Sequence, residues 1–207
     1  MEKHFTIVIQ RQFGSQGRNI AKLVSKKLGI KFYDRTIVEK VATTLGMPVS
    51  QIADEEDKAG SGLRYIMNKF PLGTDDAYMQ NMIFQVQKDI ILDIAERENC
   101  VIVGRCADYL LRDRRNNLNV YIYAPYSYRI DTCIKKYGMT ADEAKHMIAS
   151  VDKARNSYHK CYTGTLPSDP DNMDLMVNSS IMSPEDVADM IVEAAVKAFG
   201  LDGPKAA

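Results

Sequence analysis

The stretch from Ile7 to Gly29, IVIQRQFGSQGRNIAKLVSKKLG, constrains this chain more than any other. Phe5–Ile9 is a short β-branched apolar run of the kind that fills a buried parallel strand. It passes through a turn carrying Gly14 and Gly17 into a helix expected over Asn19–Leu28. There Ile20, Leu23, Val24 and Leu28 recur at helical spacing and Gly29 is the stop. Where a parallel strand turns sharply into a helix, unpaired N–H groups and the positive end of the helix dipole face the carboxyl edge of the sheet. An anion is the natural occupant of such a turn. Against the phosphate-loop pattern G-x-x-x-x-G-K-[ST], Gln12 holds the first glycine position and Gly17 the second. Arg18 replaces the lysine, and Asn19 replaces the hydroxyl residue. The dinucleotide pattern G-x-G-x-x-G is absent. A plain strand-to-helix turn with Arg18 in solvent is the alternative reading.

Downstream, strand-like and helix-like segments alternate. Strands are expected at Ile30–Tyr33, Cys100–Arg105, Asn119–Pro125 and Asp174–Ser180. Helices are expected at Arg35–Leu45, about Asp75–Glu98, Tyr126–Tyr137, and from Thr140 to about His159. Thr140 with Glu143 forms a capping-box pair, and Ser183-Pro184 opens a last helix with an N-cap serine and proline at the first helical position. Alternation of this kind implies one α/β domain over residues 1–207, with five parallel strands covered on both faces. Asp54–Asp57 reads as a solvated helix face. Residues 58–76, broken by Gly60, Gly62, Pro71 and Gly73, read as an insert.

Acidic and basic residues balance at 27 each among 207, which gives no argument for nucleic acid or a membrane surface as partner. No apolar stretch approaches the roughly 20 residues needed to span a bilayer, and Met1–His4 leads directly into the first strand, so a cytoplasmic protein is expected. The four cysteines, Cys100, Cys106, Cys133 and Cys161, show neither CxxC pairing nor metal spacing. The three histidines are scattered, and Tyr158 and Tyr162 are expected to pack within a lid or stack on a base.

Arginines recur near the carboxyl ends of the expected strands: Asp34-Arg35 after the second, Gly104-Arg105 after the third, Arg129 past the fourth. Several guanidinium groups converging beside an anion-binding loop imply a site for more than one phosphate, because their planar forks grip pairs of phosphate oxygens.

Five segments carry a resemblance to a known family: QRQFGSQGR (Gln10–Arg18), FYDR (Phe32–Arg35), VIVGRCADYLL (Val101–Leu111), VYIYAP (Val120–Pro125) and DLMVNSS (Asp174–Ser180). In order and spacing they resemble the cytidylate kinase-like family of P-loop nucleoside monophosphate kinases, over about residues 5–197. The resemblance implies a three-layer P-loop NTPase fold with a helical acceptor-binding insert at about 46–76 and a lid at about 138–168. It implies transfer of the ATP γ-phosphoryl group, with Mg²⁺, to CMP or a related small phosphate acceptor. A catalytically weak nucleotide-sensing protein of the same fold is the alternative, favoured by the substituted lysine and hydroxyl positions. On this resemblance, Gly14, Ser15, Gln16, Gly17, Arg18 and Asn19 hold ATP, and Ser15 and Asn19 are candidates for Mg²⁺. Arg11, Asp34, Arg35, Arg105 and Asp108 hold the acceptor, while Arg18, Arg129 and Arg155 act in the transfer. Two departures from the family pattern fall on residues that would select the base or support transfer: Cys106 for the aspartate after Gly104-Arg105, and Asn178 for aspartate in the last strand. Oligomeric state is not fixed by any of these features.

Overall fold

A computed structural model describes residues 4–50 and 75–201. Five strands, β1 (Thr6–Arg11), β2 (Lys31–Tyr33), β3 (Cys100–Val103), β4 (Asn117–Tyr123) and β5 (Leu175–Asn178), form one sheet in the order β2-β3-β1-β4-β5. Every pairing is parallel. The most apolar strands therefore lie innermost: Ile7, Val8 and Ile9 of β1 and Val101 and Ile102 of β3 are wholly buried, as strands covered on both faces must be.

Alternate residues of these strands supply two cores. On one face Ile7, Ile9, Val101, Val103, Val120 and Ile122 pack with Ile20 and Val24 of α1 (Gly17–Leu28) and Val187, Ile191 and Ala195 of α7 (Pro184–Phe199). On the other, Val8, Cys100 and Ile102 pack with Ile37 and Val41 of α2 (Arg35–Leu45) and Ile83, Ile91 and Ile94 of α3 (Asp75–Arg97). The result is three layers, as expected. A third, smaller cluster (Cys133, Ala144, Ile148) joins α5 (Tyr126–Tyr137) to α6 (Ala141–Thr163).

Local chemistry accounts for the element ends. Thr140 and Glu143 form the full capping box at the start of α6, and the Ser183 hydroxyl caps α7. α6 runs on to Thr163, beyond the expected end near His159. β3 stops at Val103, two residues before the expected Arg105, because Gly104, Arg105 and Cys106 all turn left-handed, at φ 74°, 63° and 56°. That bend leads into α4 (Ala107–Leu110), a short helix the sequence patterns did not suggest. The expected solvated helix at Asp54–Asp57, residues 58–74 of the expected insert and most of the proposed acceptor-binding insert lie outside the described residues, while residues 75 and 76 begin α3.

Candidate functional site

The loop between β1 and α1 is built to leave its mouth open. Gln12 fastens its start to β4: its backbone N–H donates to Ile122 O at 3.0 Å, and its side-chain oxygen accepts from Ala124 N at 3.1 Å. Glycine is required at 14, where φ is 78° and a Cβ would lie 2.8 Å from Arg129 O. Gln16, left-handed at φ 61°, is the N-cap of α1 and makes no side-chain cap bond. Its amide instead reaches α5, donating to the Tyr128 hydroxyl at 2.6 Å and accepting from Lys136 Nζ. Thus the N-cap side chain leaves uncapped the first turn of α1, the one whose N–H groups would face an anion.

Below the loop is a brace. Asp152 of α6 accepts from Phe13 N–H at 2.7 Å through one oxygen and pairs with Arg129 Nη1 at 2.5 Å through the other. Arg129 Nη1 also donates to Phe13 O at 3.2 Å. Arg129 is 8% exposed, so its placement differs from the expected one over the transferred group. It supports the loop from beneath. Ser15, expected at Mg²⁺, also differs: its buried hydroxyl donates to Gln12 O at 2.9 Å and Ile122 O at 3.2 Å. Ser179, at the end of β5, donates to Ser15 O at 2.7 Å and closes the same layer. Asn19 is exposed on the first turn of α1.

Beside the loop, at the carboxyl ends of β1, β2 and β3, opens a cleft of about 680 Å³, lined by Arg11, Arg18, Arg35, Arg105 and Arg155 together with Asp34. The structure thus brings together five of the six arginines singled out from the sequence. Arg11 leaves β1 through a slot made by two glycines. A Cβ on Gly17 would lie 2.6 Å from Arg11 Cβ, and one on Gly104 would lie 2.5 Å from its Nη1. Burial, reinforced by the charges of Arg155, Arg105 and Arg18 and opposed by Asp34, pulls the Arg11 guanidinium down to about 9. Burial likewise lowers Arg155, with Asp152 and Asp34 opposing. Arg155 Nη1 donates to Arg11 O at 3.2 Å. Arg105 and Cys106 hold left-handed backbones that cost about 1 kcal/mol each for residues with a Cβ. Backbone strain of this kind clusters at ligand sites in proteins generally.

Asp34, expected at the acceptor, precedes the first residue of α2 as its N-cap. Its carboxylate makes no cap bond and pairs with Arg18 Nε at 2.5 Å across the cleft. Asp108 departs from its expected place against the acceptor. Its side chain is closed off from the cleft and accepts from Gln10 Nε2 at 2.6 Å, with His159 Nε2 2.7 Å away. His159 itself lines the cleft, and sequence reasoning gave it no role. The available signal was spacing, since Asp152, Arg155 and His159 fall at i, i+3 and i+7 on one helix face. Tyr158 and Tyr162 do pack within the fold: Tyr162 stacks on Phe84 of α3 at 3.9 Å between centroids, and Tyr158 meets the same ring edge-on at 6.4 Å. Among the described residues no cluster of His, Cys, Asp and Glu could hold a metal, and no helix is long and apolar enough to cross a membrane.

Comparison with known proteins bears on the family and the fold. The chain is 25% identical over 191 residues to a cytidylate kinase of Sulfolobus acidocaldarius, a match covering 90% of this chain and 91% of that one. Among solved structures, a protein of Eubacterium ventriosum superposes with a TM-score of 0.69 at 23% identity, over 92% of this chain and 98% of that one. A shikimate kinase of Acinetobacter baumannii, solved with shikimate, shares the fold at a TM-score of 0.52 and 10% identity, over 95% of each chain. The model of the cytidylate kinase-like family matches residues 6–181, and the chain belongs to that family.

Proposed function

We propose that this protein is an ATP-dependent phosphotransferase that moves the γ-phosphoryl group to CMP or to a related small acceptor bearing a phosphate. The observation that carries the reading is the convergence of Arg11, Arg18, Arg35, Arg105 and Arg155 in one cleft next to an uncapped helix N-terminus. Phosphoryl transfer asks a protein mainly for positioning and for positive charge around the moving group.

The loop suits a triphosphate: Gly14 and Gly17 keep side chains away from the backbone, and the amides of Gly14 to Arg18 are assigned to the β-phosphate. Arg18 is assigned to the β/γ oxygens, exchanging Asp34 for phosphate. Arg11, Arg35 and Arg105 hold the acceptor phosphate, and Arg155 spans the two. With Ser15 turned inward, Asn19 and Asp34 are the side chains left to receive Mg²⁺, directly or through water, and the ion, when bound, adds positive charge at the β- and γ-oxygens. Arg129 acts through the loop rather than on the phosphoryl group. Crowded arginines repel one another until phosphates arrive, so phosphate binding relieves a cost that the empty cleft carries.

A second reading, nucleotide sensing without turnover, draws on Arg18 being already paired with Asp34. An ADP-release assay with ATP and Mg²⁺ across CMP, dCMP, UMP, AMP and GMP separates the two. Acceptor-dependent ADP release that is lost in Arg105→Ala supports the transferase. ATP binding without release for any acceptor supports the sensor.

A further inference from the structure

Two anchors hold α6 against the core, and they bracket Arg155. The first is Asp152, bonded to Phe13 N–H and Arg129. The second is His159, two turns later on the same face, where both ring nitrogens are engaged. Nε2 lies 2.7 Å from Asp108 Oδ2 and Nδ1 lies 2.8 Å from Thr165 O, with the Thr163 hydroxyl also 2.9 Å from Nδ1. A backbone carbonyl can only accept, so Nδ1 carries a proton. Nε2 shares a proton with the Asp108 carboxyl group, as an imidazolium facing a carboxylate or as a neutral ring facing an acid. The ring is 2% exposed and Asp108 1%. Asp108 is itself fixed by Gln10 of β1, so the chain of bonds runs from the central strand to the end of α6.

The charges around the ring come from every side: Asp108 on α4, Asp169 before the 3-10 turn Pro170–Asn172, and Arg11, Arg105 and Arg155 lining the same cleft. Burial opposes the charged ring. The hydrogen bond and charge of Asp108, with smaller help from Thr165 and Asp169, outweigh it and hold His159 above its ordinary value.

We propose that His159, as an imidazolium pinned by Asp108, is a positioning residue of the acceptor wall: it holds the second half of α6 down so that Arg155 and Tyr158 face the cleft before any phosphate is bound. Without it, repulsion from Arg11 and Arg105 drives Arg155 outward, and the acceptor must then bear the cost of bringing it back. Tyr158, the neighbour of His159, is held on its other side by Gln87, whose Nε2 donates to the phenol oxygen at 3.0 Å. The proposal rests on the phosphotransferase reading for its kinetic consequence but not for its structural one.

The test uses the full chain, wild type, His159→Gln and Asp108→Asn. Ring ¹⁵N NMR is expected to show one of the three histidines doubly protonated beyond the ordinary imidazole range, a signal absent in His159→Gln and shifted back in Asp108→Asn. Calorimetry with CMP, and with inorganic phosphate as a base-free probe, is expected to show about tenfold weaker binding in both variants with ATP affinity unchanged, as loss of preorganisation predicts. In turnover the acceptor KM rises more than kcat falls. If wild type turns over no acceptor, the transferase reading fails, while ring protonation and anion binding still decide the role of His159. A singly protonated ring at neutral pH, or variants that bind both probes as wild type does, overturns the proposal. If His159→Gln does not fold, Asp108→Asn, which keeps the shape of the pair and removes its charge, carries the test alone.

Discussion

Arg129 and Arg155 both reach the neighbourhood of Asp152, yet they are set up for opposite tasks. Arg129 has a counter-ion of its own: its Nη1 meets the Asp152 carboxylate at 2.5 Å and the Phe13 backbone oxygen at 3.2 Å beneath the loop, although its buried Nε has no hydrogen-bond partner among the described residues. Arg155 is crowded, lying in a cleft with Arg11 and Arg105, and burial lowers it. A buried guanidinium with its own counter-ion is framework, because removing the partner strands a charge. Guanidinium groups massed against one another are costly to the empty protein and are compensated only when an anion enters. The family pattern alone would class both as site arginines. On the proposed function, their partners tell them apart.

The comparison can be broken in four places. Arg155→Ala is expected to lower turnover by about 10³-fold, within the range of a transition-state arginine, with no loss of stability by thermal melting. A drop in stability matching that of a brace residue would put Arg155 in the framework class instead. Asp152→Asn, which leaves Arg129 buried and unpaired, is expected to cost about 3 kcal/mol in denaturant unfolding. An unchanged midpoint would remove the brace from the account. Gly14→Ala introduces a Cβ at φ 78° against Arg129 O, for a cost of about 2 kcal/mol, together with weaker ATP binding by calorimetry.

The smallest expected effect is on pH. The folded value of His159 is raised, so its contribution to stability is complete below the unfolded value of about 6.5. It fades as pH rises through the folded value. Asp108→Asn should flatten that part of the stability profile, as read from melting temperatures across the neutral to mildly alkaline range.

Much of this was legible in the chain. Strand order aside, β1, α1, β3, β4, the start of α6 and α7 follow from β-branched runs, helical spacing and caps such as Thr140/Glu143 and Ser183, because those signals are local. The gathering of arginines followed from their recurring at strand ends, since a parallel sheet puts all those ends on one edge. What sequence could not supply was pairing. Asp152 meets Phe13 across 139 positions and Asp108 meets Gln10 across 98, and no local pattern encodes such distances. Gly17 illustrates the same limit: it was read for its place in the loop, and it also clears the path of Arg11.

The most direct test of the central claim is a crystal structure with a non-hydrolysable ATP analogue, Mg²⁺ and CMP. The account predicts the triphosphate on the amides of Gly14 to Arg18, Arg18 released from Asp34 onto phosphate, and the acceptor phosphate among Arg11, Arg35, Arg105 and Arg155. Arg129 should remain on Asp152. A loop left empty while the nucleotide binds elsewhere, or Arg129 swung from Asp152 onto the phosphates, would contradict it.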